Sequence, residues 1–242
     1  MDRFFVAEGG WGHSKAVLSI EESHHCVRVM RKSAGDKIEV FDGAGRWARG
    51  VIAEGSDREV TVLVEEEGKV QEKKPSLLMA IAVTKGKTME LVIQKAVELG
   101  VDRIQPLLTE NVAVHWSGEI LKGKQGKWRR VAMEACKQCG QNIVPEVCPV
   151  AAFEDVLKPR DEGIRLLASL DQRAQPLRCE MGKLPPKPGS VELFIGPEGD
   201  FSPSETDRAI ESGLRPVSFG SRVLRVETAV IYGLSVLGYE LR

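Results

Sequence analysis

The sequence predicts an α/β protein in two parts: a small, mostly β domain over residues 1–72, and a larger domain over 76–242 with a helix-covered parallel sheet. Three observations predict it. Short alternating runs parted by glycine turns fill the chain up to about residue 70. A charged stretch closed by Pro75, "EEEGKVQEKKP", reads as a linker. Beyond it, continuous apolar runs take turns with stretches of helical period, the pattern of strands buried on both faces.

The elements follow in order. "SIEESHHCVRVMRK" predicts a helix: Ser19 stands three residues before Glu22, as in a capping box, and valines with Met30 follow at helical spacing. "DKIEVFDGAGRWARGVIAEG" predicts a hairpin turning at "DGAG", and "REVTVLVEE" another strand. After Pro75, "LLMAIAV" predicts a buried strand. "TMELVIQKAVELG" sets Met89, Val92, Ile93, Ala96 and Leu99 on one helical face, with Gly100 placed to end the helix. "RIQPLL" and "NVAV" predict strands. From Gln125 onward, Trp128, Val131, Ala132, Ala135 and Cys139 form a helical stripe that stops before Pro145. "IRLLASL", "VELFIG" and "PVSFG" predict three further strands, and "AVIYGLSVLGYEL" a long last helix.

The 242 residues carry a net charge of −1, so any nucleic-acid contact must rest on local basic patches. No apolar run approaches the roughly 20 residues that span a bilayer. "MDRFFVAEGG" has acids where a signal peptide needs an apolar core, so a cytoplasmic protein is expected, with no membrane partner. Its five cysteines, an odd number, then read as reduced thiols. Cys136 and Cys139 make a C-x-x-C inside a helical pattern, with no second pair to complete a zinc site; packing is the expected role and no metal is expected.

Two corners carry chemistry. In "LFIGPEGDFSPSE" a buried strand stops at Gly196, which allows a sharp turn and the close approach of a ligand. Pro197 stiffens the turn, Gly199 relieves its exit, and Ser202, Pro203 and Glu205 spell a helix start. Exposed backbone and the carboxylate of Glu198 remain between the pinned ends. The second corner, "PVSFGSRVLRVETAVIYG", ends a short strand at Gly220 and starts a helix near Glu227 or Thr228, where a carboxylate and a hydroxyl suit helix-start donors. Leu224 and Val226 are apolar in a loop-like segment, covered either by a flat ligand or by the core. Arg222 and Arg225 add charge beside them. Parallel sheets of this kind bind ligands beyond the carboxyl ends of their strands.

Competing readings explain less. "GEILKGKQ" nearly spells a phosphate-binding loop, but Gln125 stands where Ser or Thr would hold magnesium, and G-x-G-x-x-G is absent. A non-catalytic RNA-binding or ribosome-assembly protein suits the small β domain yet leaves the two corners unexplained.

Together, "LFIGPEGDFSPSE" and "FGSRVLRVETA" resemble the paired cofactor loops of SPOUT methyltransferases, and more narrowly those of the bacterial 16S rRNA uracil N3-methyltransferase family. "DRFFV", "HHCVRVMRKSAGDKIEVFDGAG", "IQKAVELGV" and "EACKQCGQNIVPEV" fit the same family, so the resemblance spans nearly the whole chain. It implies a PUA-like N-terminal domain, a SPOUT domain with a trefoil knot, a homodimer, and S-adenosylmethionine as cofactor. The substrate it implies is a uridine of 16S rRNA in the decoding region of the assembled small subunit; another rRNA or tRNA nucleotide is the alternative. The resemblance further implies that Leu170, Gly196, Pro197, Glu198, Gly199, Phe219, Gly220, Leu224, Arg225, Thr228 and Ala229 hold the cofactor. On the same reading Arg225 stabilises negative charge on the base, and Glu227 or Glu198 either accepts a proton or satisfies loop amides. Two departures stand out: Asp200 where the family has a second glycine, adding negative charge, and Gln141 where it commonly has arginine.

Basic residues are spread more widely. His24, His25, Arg28, Arg31 and Lys32 can form one helix face, and Lys122, Lys124, Lys127, Arg129 and Arg130 a second cluster near Asn111 and Trp116. Both are candidate RNA contacts, whose binding would weaken steeply with salt.

Overall fold

Alternation decides the N-terminal sheet. Ile38 and Val40 point inward between exposed Lys37 and half-buried Glu39, and Ala48, Ile52, Val60 and Val62 repeat the pattern on the following strands. The computed structural model describes residues 1–71, 74–112, 118–158, 163–186 and 188–242. These divide into two units, one of residues 1–72 with 136–144 and one of residues 73–135 with 145–242. The sequence boundary near Pro75 does not anticipate the place of 136–144.

In the first unit, β1 (Arg3–Phe5), β2 (Lys15–Val17), β3 (Lys37–Phe41), β4 (Arg46–Gly55) and β5 (Val60–Lys69) form a sheet of order β1-β3-β4-β5-β2. The β3–β4 turn is built as "DGAG" suggests: Gly43 and Gly45 take φ of 75° and 103°, and the Asp42 carboxylate accepts from the amides of Ala44 and Arg46 at 2.7 and 2.9 Å. The expected linker starts later than its composition indicates, because β5 continues through the acidic run to Lys69. The first helix is also shorter. α1 (Ile20–His24) has Ser19 as its N-cap, accepting from Glu22 N, and passes into a wider turn closed by Met30 N to His25 O. Glu22 does not complete the capping box; its carboxylate accepts from Phe5 N and pairs with Lys137. Arg3 explains why 136–144 belongs here. Its guanidinium donates to Cys136 O at 2.8 Å, to Gln141 O and to the Asn142 side chain, while its Nε holds Glu39 at 2.8 Å.

The second unit is a parallel sheet. β6 (Ser76–Ala82), β7 (Arg103–Leu108), β8 (Glu146–Val147), β9 (Ala151–Ala152), β10 (Ile164–Ala168), β11 (Gln175–Pro176), β12 (Ser190–Ile195) and β13 (Arg215–Ser218) run β11-β13-β10-β12-β6-β7-β8, with β9 also beside β7. Its helices are α2 (Thr88–Glu98), α3 (Gly118–Cys139, its end in the first unit), α4 (Phe153–Val156), α5 (Leu177–Met181), α6 (Pro203–Glu211) and α7 (Val226–Leu241). Strand alternation places Leu193 and Phe194 on opposite faces. α7 packs on the Leu193 side, where a Cβ at Gly233 would come 2.5 Å from Leu193. Phe194 faces Phe153 of α4, Phe201, and Ala209 of α6. Met89, Val92, Ile93 and Ala96 are buried along α2, and Gly100 closes that helix at φ 82°.

Two expectations change. "NVAV" does not begin as a strand, since Asn111 and Val112 form a turn with Val112 N on Thr109 O; residues 113–114 lie outside the described residues. On α3, Trp128, Ala132, Ala135 and Cys136 are buried, whereas Cys139 is exposed. Burial pushes the Cys136 thiol up to about 12, away from the reactive thiolate range.

Candidate active site

The strands β10, β12 and β13 are neighbours and parallel, so the loops at their carboxyl ends emerge side by side. They wall an open cleft, with about 570 Å³ of atom-free space that includes solvent at its mouth, lined by Ser169 and Leu170 after β10, Gly196, Pro197, Glu198 and Asp200 after β12, and Phe219, Gly220, Arg222, Val223 and Leu224 after β13. Val226 and Ala229 of α7 close its side. The two glycine bends predicted to lie together do so.

Each wall has a local cause. Ser202 caps α6 and accepts from Glu205 N at 3.1 Å, Glu205 answers on Ser202 N at 2.9 Å, and Pro203 occupies the first helical turn, the full capping box read from the sequence. The other Glu205 oxygen accepts from Glu110 N at 2.8 Å, tying in the loop after β7. Gly220 turns at φ 116° with open space where a Cβ would stand. Phe219 packs on Tyr232 at 5.2 Å. Gly196 works differently from expectation: a Cβ there would meet Asp200 Oδ1 and Phe201 N, each at 3.1 Å, so its missing side chain makes room for its own loop.

The start of α7 also differs. The helix begins at Val226 with Arg225 as N-cap, ahead of the expected Glu227 or Thr228, and no side chain accepts from its first amides. The Arg225 carbonyl takes Ala229 N at 2.8 Å, the first bond inside the helix, and does not cap the amides ahead of it. Its guanidinium is exposed and forms no ion pair among the described residues. Glu198 is exposed and Glu227 half-buried, and neither carboxylate satisfies a loop amide among the described residues. Asp200 does that work instead, accepting from Leu170 N at 2.9 Å and Phe201 N at 2.8 Å. Arg173 bonds Asp171 and Asp207, bracing the loop after β10 against α6; beside it the Asp171 carboxyl is held down to about 2.

Of the expected cofactor residues, Leu170, Gly196, Pro197, Glu198, Phe219, Gly220, Leu224 and Ala229 line the cleft; Gly199, Arg225 and Thr228 do not, nor does the catalytic candidate Glu227. Gly199 lies against Asn111, whose side chain donates to Asp200 O at 3.0 Å. Ser169 and Val223 went unread; Asp200 was read only as added charge where the family has glycine, and Asn111 only as a neighbour of the second basic cluster.

The basic faces are partly spent. His25 packs edge-on against Phe4 at 5.9 Å, Arg28 pairs with Asp57 at 2.7 Å and Lys32 with Asp2 at 2.6 Å. In the second cluster, Lys127 pairs with Glu90 and Arg129 donates to Val147 O. Lys124 also has a partner, and Asn111 is committed to the loop after β12. His24, Arg31 and Arg130 are exposed. Trp116 and the Lys122 side chain lie outside the described residues.

The cleft fits S-adenosylmethionine. Apolar Leu170 and Val223 are 62% and 74% exposed beside it, ready to cover a flat ring, and the first-turn amides of α7 suit a carboxylate.

Comparison with known proteins agrees. A family model described as an RNA methyltransferase domain matches residues 71–238, and one described as an RNA methyltransferase PUA domain matches residues 19–65. Ribosomal RNA small subunit methyltransferase E of Bacillus subtilis is 30% identical over 226 residues, covering 91% of this chain and 88% of that one. Its Aquifex aeolicus counterpart is 32% identical, covering 96% and 97%. The same enzyme from Neisseria gonorrhoeae, solved bound to S-adenosyl methionine, superposes with a TM-score of 0.87 at 25% identity over 100% of this chain and 98% of that one. Two glycine loops walling one cleft, an RNA methyltransferase match from residue 71 to 238 and relatives aligned over nearly their full length place this chain in the ribosomal RNA small subunit methyltransferase E family.

Proposed function

We propose that this chain transfers a methyl group from S-adenosylmethionine to N3 of a uridine in 16S rRNA, in the decoding region of the assembled small subunit. The observation that carries the reading is the single cleft walled by the loops after β10, β12 and β13. When bound, S-adenosylmethionine supplies an electrophilic methyl group. Main-chain groups of Gly196, Phe219, Gly220 and Leu224 would hold it, with Leu170 and Val223 against its ring. Uracil N3 bears a proton and attacks only as that proton leaves, so the protein must stabilise an anionic base. Arg225 would provide that charge from the edge of the cleft. Glu227 or Glu198 would take the proton, both carboxylates being free of loop amides among the described residues. Holding donor and acceptor in line accounts for several kcal/mol of barrier lowering.

The rest of the reading is proposed on the same footing: a PUA-like domain over 1–72, a SPOUT domain over 76–242 knotted as a trefoil, a cytoplasmic setting and a homodimer. β10 lies between β12 and β13 although it precedes both, an arrangement compatible with a threaded chain. Exposed Ile231, Tyr232 and Tyr239 on α7 suit a subunit interface. No helix among the described residues is long and apolar enough to cross a membrane.

Calorimetric titration should show saturable binding of S-adenosylmethionine, and 16S rRNA from a deletion strain should lack one N3-methyluridine by mass spectrometry, restored by the purified protein. No heat at millimolar ligand, or an unchanged nucleoside profile, would sink the proposal. Light scattering should give twice the chain mass; a monomer removes the interface, and an unthreaded crystal structure removes the knot. For RNA contact we assign His24, Arg31 and Arg130. Replacing Arg31 and Arg130 with alanine should lower the slope of log affinity against log salt by roughly two; an unchanged slope excludes both.

A further inference from the structure

We propose that Asp200 is a positioning residue that sets cofactor affinity by locking the loop after β10 onto the loop after β12; this deepens the function proposed above and rests on it. Asp200 has φ of 60°, a left-handed backbone where L side chains are disfavoured and glycine is at ease. Something must favour an aspartate there, and its bonds show what. Oδ2 accepts from Leu170 N at 2.9 Å and Ser169 Oγ at 3.4 Å, while Oδ1 accepts from Phe201 N at 2.8 Å. The main-chain carbonyl accepts from the Asn111 side chain at 3.0 Å. One residue thus joins the segments beyond β7, β10 and β12.

The added negative charge is therefore not loose in the cleft; its donors engage it. Gly196 is matched to it, because a Cβ there would stand 3.1 Å from Oδ1. The consequence falls on Leu170, whose amide is tied while its apolar side chain stays 62% exposed at the cleft wall. A wall already ordered before the ligand arrives spares binding the cost of ordering it. Losing the tie should weaken ground-state and transition-state binding alike, which raises KM without touching kcat.

Asp200→Gly separates this role from simple structure, since glycine accepts the left-handed backbone and so offsets part of the lost bonding, which should keep the melting temperature within a few degrees of wild type. Its Kd for S-adenosylmethionine by calorimetry, and its cofactor KM, should rise about tenfold, with kcat within about twofold. Asp200→Asn, which keeps one carbonyl oxygen for one of the two amides, should fall between. Gly196→Ala, which crowds the carboxylate, should raise KM in the same way. A Kd for Asp200→Gly within about twofold of wild type, or a fall in kcat at unchanged KM, overturns the inference. Wild-type protein that fails to bind the cofactor at all overturns the proposed function first, and this inference with it.

Discussion

Arg225→Ala should reduce methylation of the small subunit by a hundredfold or more while leaving the affinity for S-adenosylmethionine within about threefold. The side chain is exposed, lies at the N-cap of α7 between cleft-lining Leu224 and Val226, and has no ion pair among the described residues. Nothing local consumes its charge, so removal should spare the fold. The loss should fall on kcat, because charge on the base develops only as the proton leaves N3. Arg225→Lys should recover part of the rate, a point charge replacing a planar fork. Labelled methyl transfer at saturating cofactor provides the measurement, and wild-type turnover in the alanine variant would exclude Arg225 from the reaction.

The second large effect lies beneath the cleft and concerns stability. Arg165 of β10 and Glu192 of β12 are direct register partners, 8% and 4% exposed, with Nε to Oε2 at 3.1 Å. The same guanidinium donates to Val156 O at 2.6 Å and Leu157 O at 3.2 Å, and lies 5.0 Å above the Phe194 ring. Arg165→Met would take from buried Glu192 the guanidinium bonded to it and leave two carbonyls short of a donor, costing about 3–5 kcal/mol. The double variant Arg165→Met, Glu192→Met should be less damaged than the single arginine variant, since the carboxylate that Arg165 pairs with leaves together with it. Denaturant unfolding gives both values from midpoint and slope. A single-variant cost under about 1 kcal/mol would show the pair to be dispensable.

Much of this was legible from periodicity. "LLMAIAV", "IRLLASL" and "VELFI" are strands because a sheet buried on both faces demands unbroken apolar runs, and "SPSE" starts a helix because its polar groups answer the first amides. The cleft itself was legible as two glycine corners at strand ends. What escaped depends on partners distant in sequence. Arg28 and Lys32 looked like a free basic face, but Asp57 and Asp2 meet them only after folding, as Glu90 meets Lys127. Asp200 looked like surplus charge because its donors at 169 and 170 arrive from another strand. The start of α7 was misjudged for a local reason: Glu227 and Thr228 suit a cap, yet the backbone turns helical before them, so the arginine ahead of Val226 takes the position.

The pairing of β6 with β12 has a consequence for synthesis. Ser76 meets Ser190 and Ile81 meets Ile195, whereas β7, on the other flank of β6, follows within one helical connection. A nascent chain can therefore fill one flank of β6 early but must carry the other open until most of the polypeptide has left the ribosome. During that interval the most apolar strand of the unit, "LLMAIA", is a bare edge available to any passing chain.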